Sequence, residues 1–230
     1  MTLPILAIRP EPGCTATVER GRRAGLEIDA CPLFEVQSLA WDPPPPARFD
    51  GLLLGSANAV RQAGPALEAF RGKRAFAVGR ATAAAAETAG LTVAAVGQGG
   101  LQSLFPALRP PLTLLRLAGE EHVPLRPPLG IVIDTCVVYR SEALPLPETI
   151  AGRLRGGGLV LLHSAAAARH FANECDRLDV PRGAIALAAL GQRIAQAAGD
   201  GWRALRLADE PRDAALLALA RDLCHEPPPG

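Results

Sequence analysis

Short apolar runs alternate with Ala- and Arg-rich amphipathic stretches along the chain, the pattern of an α/β protein. The runs predict strands at Leu3–Ile8, Leu26–Ala30, Gly51–Leu54, Ala75–Val78, Thr92–Ala95, Leu112–Leu117, Ile131–Asp134, Leu159–Leu162, Ala184–Ala189 and Ala204–Leu207. Helices are predicted to begin near Thr15, Ser56, Arg80, Leu101, Pro147, Ser164, Gly191 and Pro211. So many strands exceed what one sheet normally holds in a chain of 230 residues, and two sheets of about five follow.

Prolines divide this series. Pro43–Pro46 can continue neither a helix nor a central strand, and Pro145 with Pro147 makes a second break. The block of roughly 95 residues between them has the size of a domain. Leu33–Ser38 and Thr135–Ser141 read as short β segments beside the two breaks, and Pro227–Pro229 as a frayed tail. The chain also echoes itself. Leu52-Leu53-Leu54-Gly55-Ser56-Ala57-Asn58 resembles Val160-Leu161-Leu162-His163-Ser164-Ala165-Ala166, each an apolar strand, one residue, a serine and an Ala-rich helix. Phe76-Ala77-Val78-Gly79 and Ala188-Ala189-Leu190-Gly191 then repeat a strand that ends in glycine and opens a further helix. Two similar α/β domains account for this; alanine-rich sequence alone can also produce such echoes.

Composition narrows the partners. With 24 basic and 23 acidic residues the net charge is +1, which argues against nucleic acid and against an acidic membrane. Aromatics at 4% leave little for a base-stacking platform. Cys14, Cys31, Cys136, Cys175 and Cys224 form no CxxC pair and are odd in number, which speaks against zinc and against a disulfide framework. Leu3–Ile8 is too short for a signal peptide core, and no run approaches the ~18 apolar residues of a membrane span. A cytoplasmic protein with free thiols is expected.

The candidate chemistry lies at four strand-to-helix turns. Ser56 and Ser164 can each cap the helix that follows. The same turns bare backbone N–H groups at the positive end of the helix dipole, a site for a carboxylate or phosphate, here offered by Ser56-Ala57-Asn58 and Ser164-Ala165. Gly79-Arg80-Ala81-Thr82 and Gly191-Gln192-Arg193-Ile194 are expected to offer the same geometry, glycine permitting close backbone approach. Tyr139, the one tyrosine, is either a packing residue or a phenol able to donate a proton. Arg9 is either a solvated strand-end arginine or a guanidinium that reaches an anionic substrate. Gly97-Gln98-Gly99-Gly100 lacks the third glycine of a dinucleotide fingerprint, and Lys73 lacks the upstream glycine of a Walker turn. His163 and His170, seven apart, have no evident third metal ligand and read as surface or packing residues.

Taken in order, these stretches resemble the uroporphyrinogen-III synthase family. Leu6-Ala7-Ile8-Arg9-Pro10 is similar to its opening T-R-P turn, and Phe49-Asp50-Gly51 through Ser56-Ala57-Asn58-Ala59-Val60 to its D…FTS…AV stretch. Ala77-Val78-Gly79-Arg80-Ala81-Thr82-Ala83 is similar to its VG..TA turn and Val138-Tyr139-Arg140 to its VY linker. Ser164-Ala165 and Leu190-Gly191 stand for its second serine and glycine turns.

The resemblance implies two open parallel-sheet α/β domains joined by a two-stranded antiparallel ladder, with an active-site cleft between them. Domain one would comprise residues 1–36 and 144–230, domain two residues 40–134, and the ladder 33–38 beside 135–141. It also implies cyclisation and dehydration of hydroxymethylbilane, with the last pyrrole ring inverted, to give uroporphyrinogen III. No metal or organic cofactor is implied, and a monomer is the expected state. Tyr139 becomes the candidate catalytic acid. Arg9, Ser56, Ala57, Asn58, Gly79, Arg80, Thr82, Ser164, Ala165, Gly191, Gln192 and Arg193 become substrate-binding candidates. Ile8 and Gly55 stand where the family has threonine, His122 where arginine is common, and Arg193-Ile194 where hydroxyl residues are frequent. The alternatives are a catalytically silent relative and a two-domain protein that binds a small anion.

Overall fold

In the computed structural model, residues 3–225 are described, so the proline tail lies outside them. The chain runs β1 (Ile5–Ala7), α1 (Gly13–Arg23), β2 (Ile28–Ala30) and β3 (Phe34–Ser38), then β4 (Gly51–Leu54), α2 (Ala57–Gln62), β5 (Arg74–Val78), α3 (Arg80–Thr88), β6 (Thr92–Gly97), β7 (Leu112–Gly119) and β8 (Ile131–Ala143). It closes with α4 (Glu148–Leu154), β9 (Gly158–Leu162), α5 (Ala165–Arg177), β10 (Ile185–Ala189), α6 (Gln192–Ala198), β11 (Ala204–Leu207) and α7 (Asp213–His225). Two units result: unit 1 is Met1–Glu35 with Glu142–Gly230, and unit 2 is Val36–Ser141.

Unit 1 is built on a five-stranded sheet of order β11-β10-β9-β1-β2, parallel throughout. A parallel sheet needs cover on both faces, so its central strands are apolar at every position rather than at alternate ones. Gly158–Leu162 and Ile185–Ala189 are buried along their whole length. The two-residue period sorts their side chains. Leu6, Ile8, Val160, Leu162 and Leu187 pack with Ala167, Ala168 and Phe171 of α5, while Ile5, Ala7, Leu159 and Leu161 pack with Leu216, Leu217 and Ala220 of α7. Each leucine fully removed from water contributes about 1.5–3 kcal/mol.

Unit 2 carries the order β3-β8-β7-β4-β5-β6. β4 to β8 are parallel. Leu52, Leu54, Leu115 and Leu117 face α2 and α3; Leu53, Phe76 and Leu114 face Leu101, Leu104 and Phe105. The cores of the two sheets have the same plan. Strands β6-β5-β4-β7-β8 of unit 2 match β11-β10-β9-β1-β2 of unit 1 in spatial order, with the echoed strands β4 and β9, and β5 and β10, in equivalent places.

Two expectations are corrected, and one element is new. The segment from Leu101 is a 3-10 helix ending at Ala107, because Pro106 removes a backbone donor inside it. A second 3-10 helix, Gly64–Phe70, follows α2 and has no counterpart among the predicted elements. Ile131–Asp134 and Thr135–Ser141 are one strand of 13 residues, since neither glycine nor proline interrupts the β-branched run. The latter part of β8 pairs with β3. Leu39 N–H donates to the Val138 carbonyl and Leu144 N–H to that of Leu33, both at 2.9 Å, so one index rises as the other falls and the two segments run antiparallel.

Candidate active site

In unit 2, Ser56 is extended (φ −151°, ψ 141°), and its Oγ accepts from Asn58 N–H at 3.1 Å. Ser56 is therefore the N-cap of α2, and Ala57 and Asn58 form its half-buried first turn. A Cβ at Gly55 would stand 3.1 Å from Leu101 Cδ1, so the 3-10 helix occupies space next to the threonine position of the motif. Gly79 has φ +79°, a left-handed backbone that glycine alone adopts without strain, and it turns the chain from β5 into α3. Arg80 is exposed. Thr82 is only 5% exposed, so its hydroxyl is enclosed within unit 2 rather than presented at the turn.

Tyr139 is half-buried on β8 and pairs with Gly119 of β7, just past a register shift. Its ring lies on the bare backbone of that glycine: a Cβ at Gly119 would come within 2.7 Å of Tyr139 Cζ and 3.0 Å of its hydroxyl. The hydroxyl takes no hydrogen-bond partner among the described residues. Arg116, on β7, is 7% exposed and donates from Nη1 to the Val123 carbonyl at 2.9 Å, with Nε unpartnered among the described residues. Burial pushes its pKa below the ordinary arginine value, and the Tyr139 phenol works in the other direction. His122, where the family often has arginine, donates from Nδ1 to the Gly119 carbonyl at 2.7 Å.

In unit 1, Ser164 repeats the cap of Ser56, its Oγ accepting from Ala167 N–H at 3.1 Å, with Ala165 half-buried behind it. The two glycine turns differ, against expectation. Gly191 has φ 177°, an extended conformation open to any residue, and a Cβ there would meet nothing within 4 Å. Gln192 and Arg193 open α6 exposed to solvent, and Arg193 has no ion pair among the described residues.

Arg9 is neither free nor extended. Its guanidinium lies against the start of α1, where a Cβ at Gly13 would sit 2.5 Å from Nε, and its Nη1 is 3.4 Å from both Thr17 Oγ1 and Asp213 Oδ1. Asp213, the first residue of α7, also accepts from His163 Nε2 at 2.7 Å, Thr17 Oγ1 at 2.9 Å and Arg20 Nη1 at 2.5 Å. Burial would raise this carboxyl, but the hydrogen bonds from His163, Thr17 and Arg20 and the proximity of the His163 ring outweigh it and hold it well below the carboxylate range. The sequence reading missed this cluster. It left His163 among surface or packing residues, and Asp213 carries no local signal beyond its place at a helix start. His170 does pack: its ring meets Phe34 edge-on at 5.3 Å, and Nε2 donates to the Leu144 carbonyl at 2.7 Å.

Residues 15–218 match the family model described as Uroporphyrinogen-III synthase HemD. No curated protein is matched by the chain. Among solved structures, the uroporphyrinogen-III synthetase of Helicobacter pylori 26695 is 19% identical, with a TM-score of 0.65 over 96% of this chain and 99% of that one. A mutant uroporphyrinogen III synthase of the extremely thermophilic bacterium Thermus thermophilus is 17% identical, with a TM-score of 0.55 over 97% and 100%. At such identities these two structures speak for the two-domain α/β fold.

Proposed function

Since the chain belongs to the uroporphyrinogen-III synthase family, we propose that it performs that family's reaction: the linear tetrapyrrole hydroxymethylbilane loses its terminal hydroxyl as water and closes to uroporphyrinogen III. The observation that carries this reading is the family match, which spans nearly the whole chain.

Departure of the hydroxyl leaves an azafulvene. The substituted carbon of the last ring attacks it to form a spiro intermediate, which fragments and recloses with that ring reversed. Closure without assistance gives the unreversed isomer. The protein's task is then to hold the chain in the productive fold and to assist the leaving hydroxyl.

Tyr139 is assigned to that assistance, because its hydroxyl has no other partner among the described residues and Gly119 supports its ring. The substrate's many carboxylates are assigned to the turns at Ser56-Ala57-Asn58, Gly79-Arg80, Ser164-Ala165 and Gly191-Gln192-Arg193. Backbone N–H groups at such turns bind anions without a large net charge on the chain. The enzyme is assigned to the lyases, acting as a monomer without metal or organic cofactor. Its five free thiols accord with a reducing, cytoplasmic compartment.

The test is to incubate purified protein and chelator with fresh hydroxymethylbilane, oxidise the product and separate the porphyrin isomers. Type III should dominate and rise with protein concentration. Type I dominating at high protein concentration would overturn the assignment.

A further inference from the structure

Asp213, at the start of α7, gathers donors that the chain brings from three places: the loop after β1, two turns of α1 and the β9–α5 turn. β1 and β9 are neighbours in register, Ala7 opposite Leu161. Arg9 and His163 each follow that pair by two residues, so both stand just past the carboxyl ends of adjacent parallel strands, where open α/β sheets take their ligands.

The charges there do not balance. Two guanidiniums, Arg9 and Arg20, face one carboxylate, so the cluster holds at least one positive charge in excess even with His163 neutral. Two acids nearby in sequence have partners of their own: Glu11 accepts from Thr15 N–H and Oγ1, both at 3.0 Å, and Glu210 pairs with Arg212 at 2.9 Å. Polar groups are idle as well. His163 has a side chain only 5% exposed, yet its Nδ1 has no partner among the described residues. Of the Arg9 donors only Nη1 is engaged among those residues, and the side chain remains one-third exposed.

We propose that Asp213 is a positioning residue, which holds the Arg9 guanidinium and, when its ring carries a proton on both nitrogens, His163 as a subsite for one substrate carboxylate in unit 1. Asp213 neutralises part of the charge and fixes one edge of Arg9, leaving the opposite edge of the fork to an incoming carboxylate. Thr17, buried and bonded to the same carboxylate, keeps Asp213 from turning away. The identity of the ligand rests on the proposed reaction; the positioning role rests on the geometry of unit 1.

The experiment compares Asp213→Asn, Asp213→Glu, Arg9→Gln and the double variant Arg9→Gln/Asp213→Asn. It reads KM and kcat for hydroxymethylbilane, and the Kd for uroporphyrin III, the oxidised product, from porphyrin fluorescence. Asp213→Asn is expected to raise KM and Kd about five- to tenfold, the scale of one charge-assisted bond, with kcat within about twofold. Asp213→Glu should recover part of the loss. The double variant should lose less than the sum of the two single losses, since Asp213 acts in part through Arg9. Unchanged KM and Kd in a folded Asp213→Asn, or additive losses in the double variant, would overturn the proposal.

Should Asp213→Asn not fold, Arg9→Gln and His163→Gln decide: affinity for uroporphyrin III unchanged in both overturns the subsite, and weakened in both supports it. If the unmodified protein makes no type III isomer yet its variants show this binding pattern, the reaction fails and the subsite stands. If it makes type III and the variants keep its KM, the subsite fails and the reaction stands.

Discussion

Tyr139 and Gly119 form a pair in which the smaller residue sets the place of the larger. Tyr139→Phe removes only the proton donor, so kcat should fall by up to about 10²-fold, within the range of general acids, with melting unchanged. Gly119→Ala leaves the phenol intact but puts a Cβ 2.7 Å from its ring carbon, which forces the ring to move. Its kcat should fall toward that of Tyr139→Phe, and combining the two should add little. Unaltered turnover in both variants would return Tyr139 to a packing role. Arg193 is the other residue with a sharp test. It is exposed at the first turn of α6, where an isolated surface pair is worth under about 1 kcal/mol and a shielded contact with a carboxylate is worth more. A substrate contact predicts that Arg193→Ala raises KM and flattens its dependence on salt. Curves superimposable on those of the unmodified protein would leave that turn to its backbone alone.

Turns between elements separate what a residue type signals from what its backbone requires. Gly79 and Gly191 read alike in sequence, each after an apolar strand and before an Ala-rich helix. Gly79 stands at φ +79°, so Gly79→Ala should cost about 1–2 kcal/mol in denaturant melts. Gly191 is extended with open space around it, so Gly191→Ala should stay within about 0.5 kcal/mol. Equal losses at both turns would mean that φ is not what distinguishes them. The strands were legible because a parallel sheet covered on both faces demands unbroken apolar runs such as Leu52–Leu54 and Leu159–Leu162. The segment from Leu101 was not, because Leu101, Leu104 and Phe105 keep helical spacing while Pro106 decides the hydrogen bonding. The serine caps could be read from one residue and its neighbours. The Asp213 cluster could not, since its members meet only after β1 pairs with β9 and α7 covers that sheet.

Acid sensitivity belongs to the whole molecule, and its named carriers lie in unit 1. Glu174 accepts from Arg177 at 2.6 Å and from Leu146 N–H at 2.6 Å. The Arg177 hydrogen bond, more than offsetting burial and helped by Leu146 N–H, lowers its pKa from 4.5 to about 2. A depressed carboxyl contributes stability that is complete above its ordinary value and is lost as pH falls through the folded one. The melting temperature should therefore drop between pH 4.5 and about 2, with Asp213 acting in the same sense. Glu174→Gln should lower the melting temperature at neutral pH and flatten that acid slope. A slope as steep as in the unmodified protein would remove Glu174 from the account.

The chain leaves unit 1 after Glu35 and re-enters it at Glu142, and this route sets an order of events during synthesis. When β1 and β2 have emerged from a ribosome, β9, which must lie on the other side of β1, is still roughly 130 residues away. At roughly 5–20 residues per second that is a wait of about 6–26 s. Meanwhile every strand from β3 to β8 emerges, so the six-stranded sheet has all its members before the five-stranded one does. β1 thus has β2 as a partner at once but waits for β9 on its other side. Until β9 arrives, Leu6 and Ile8, fully enclosed in the finished protein, remain open to whatever apolar surface the growing chain encounters.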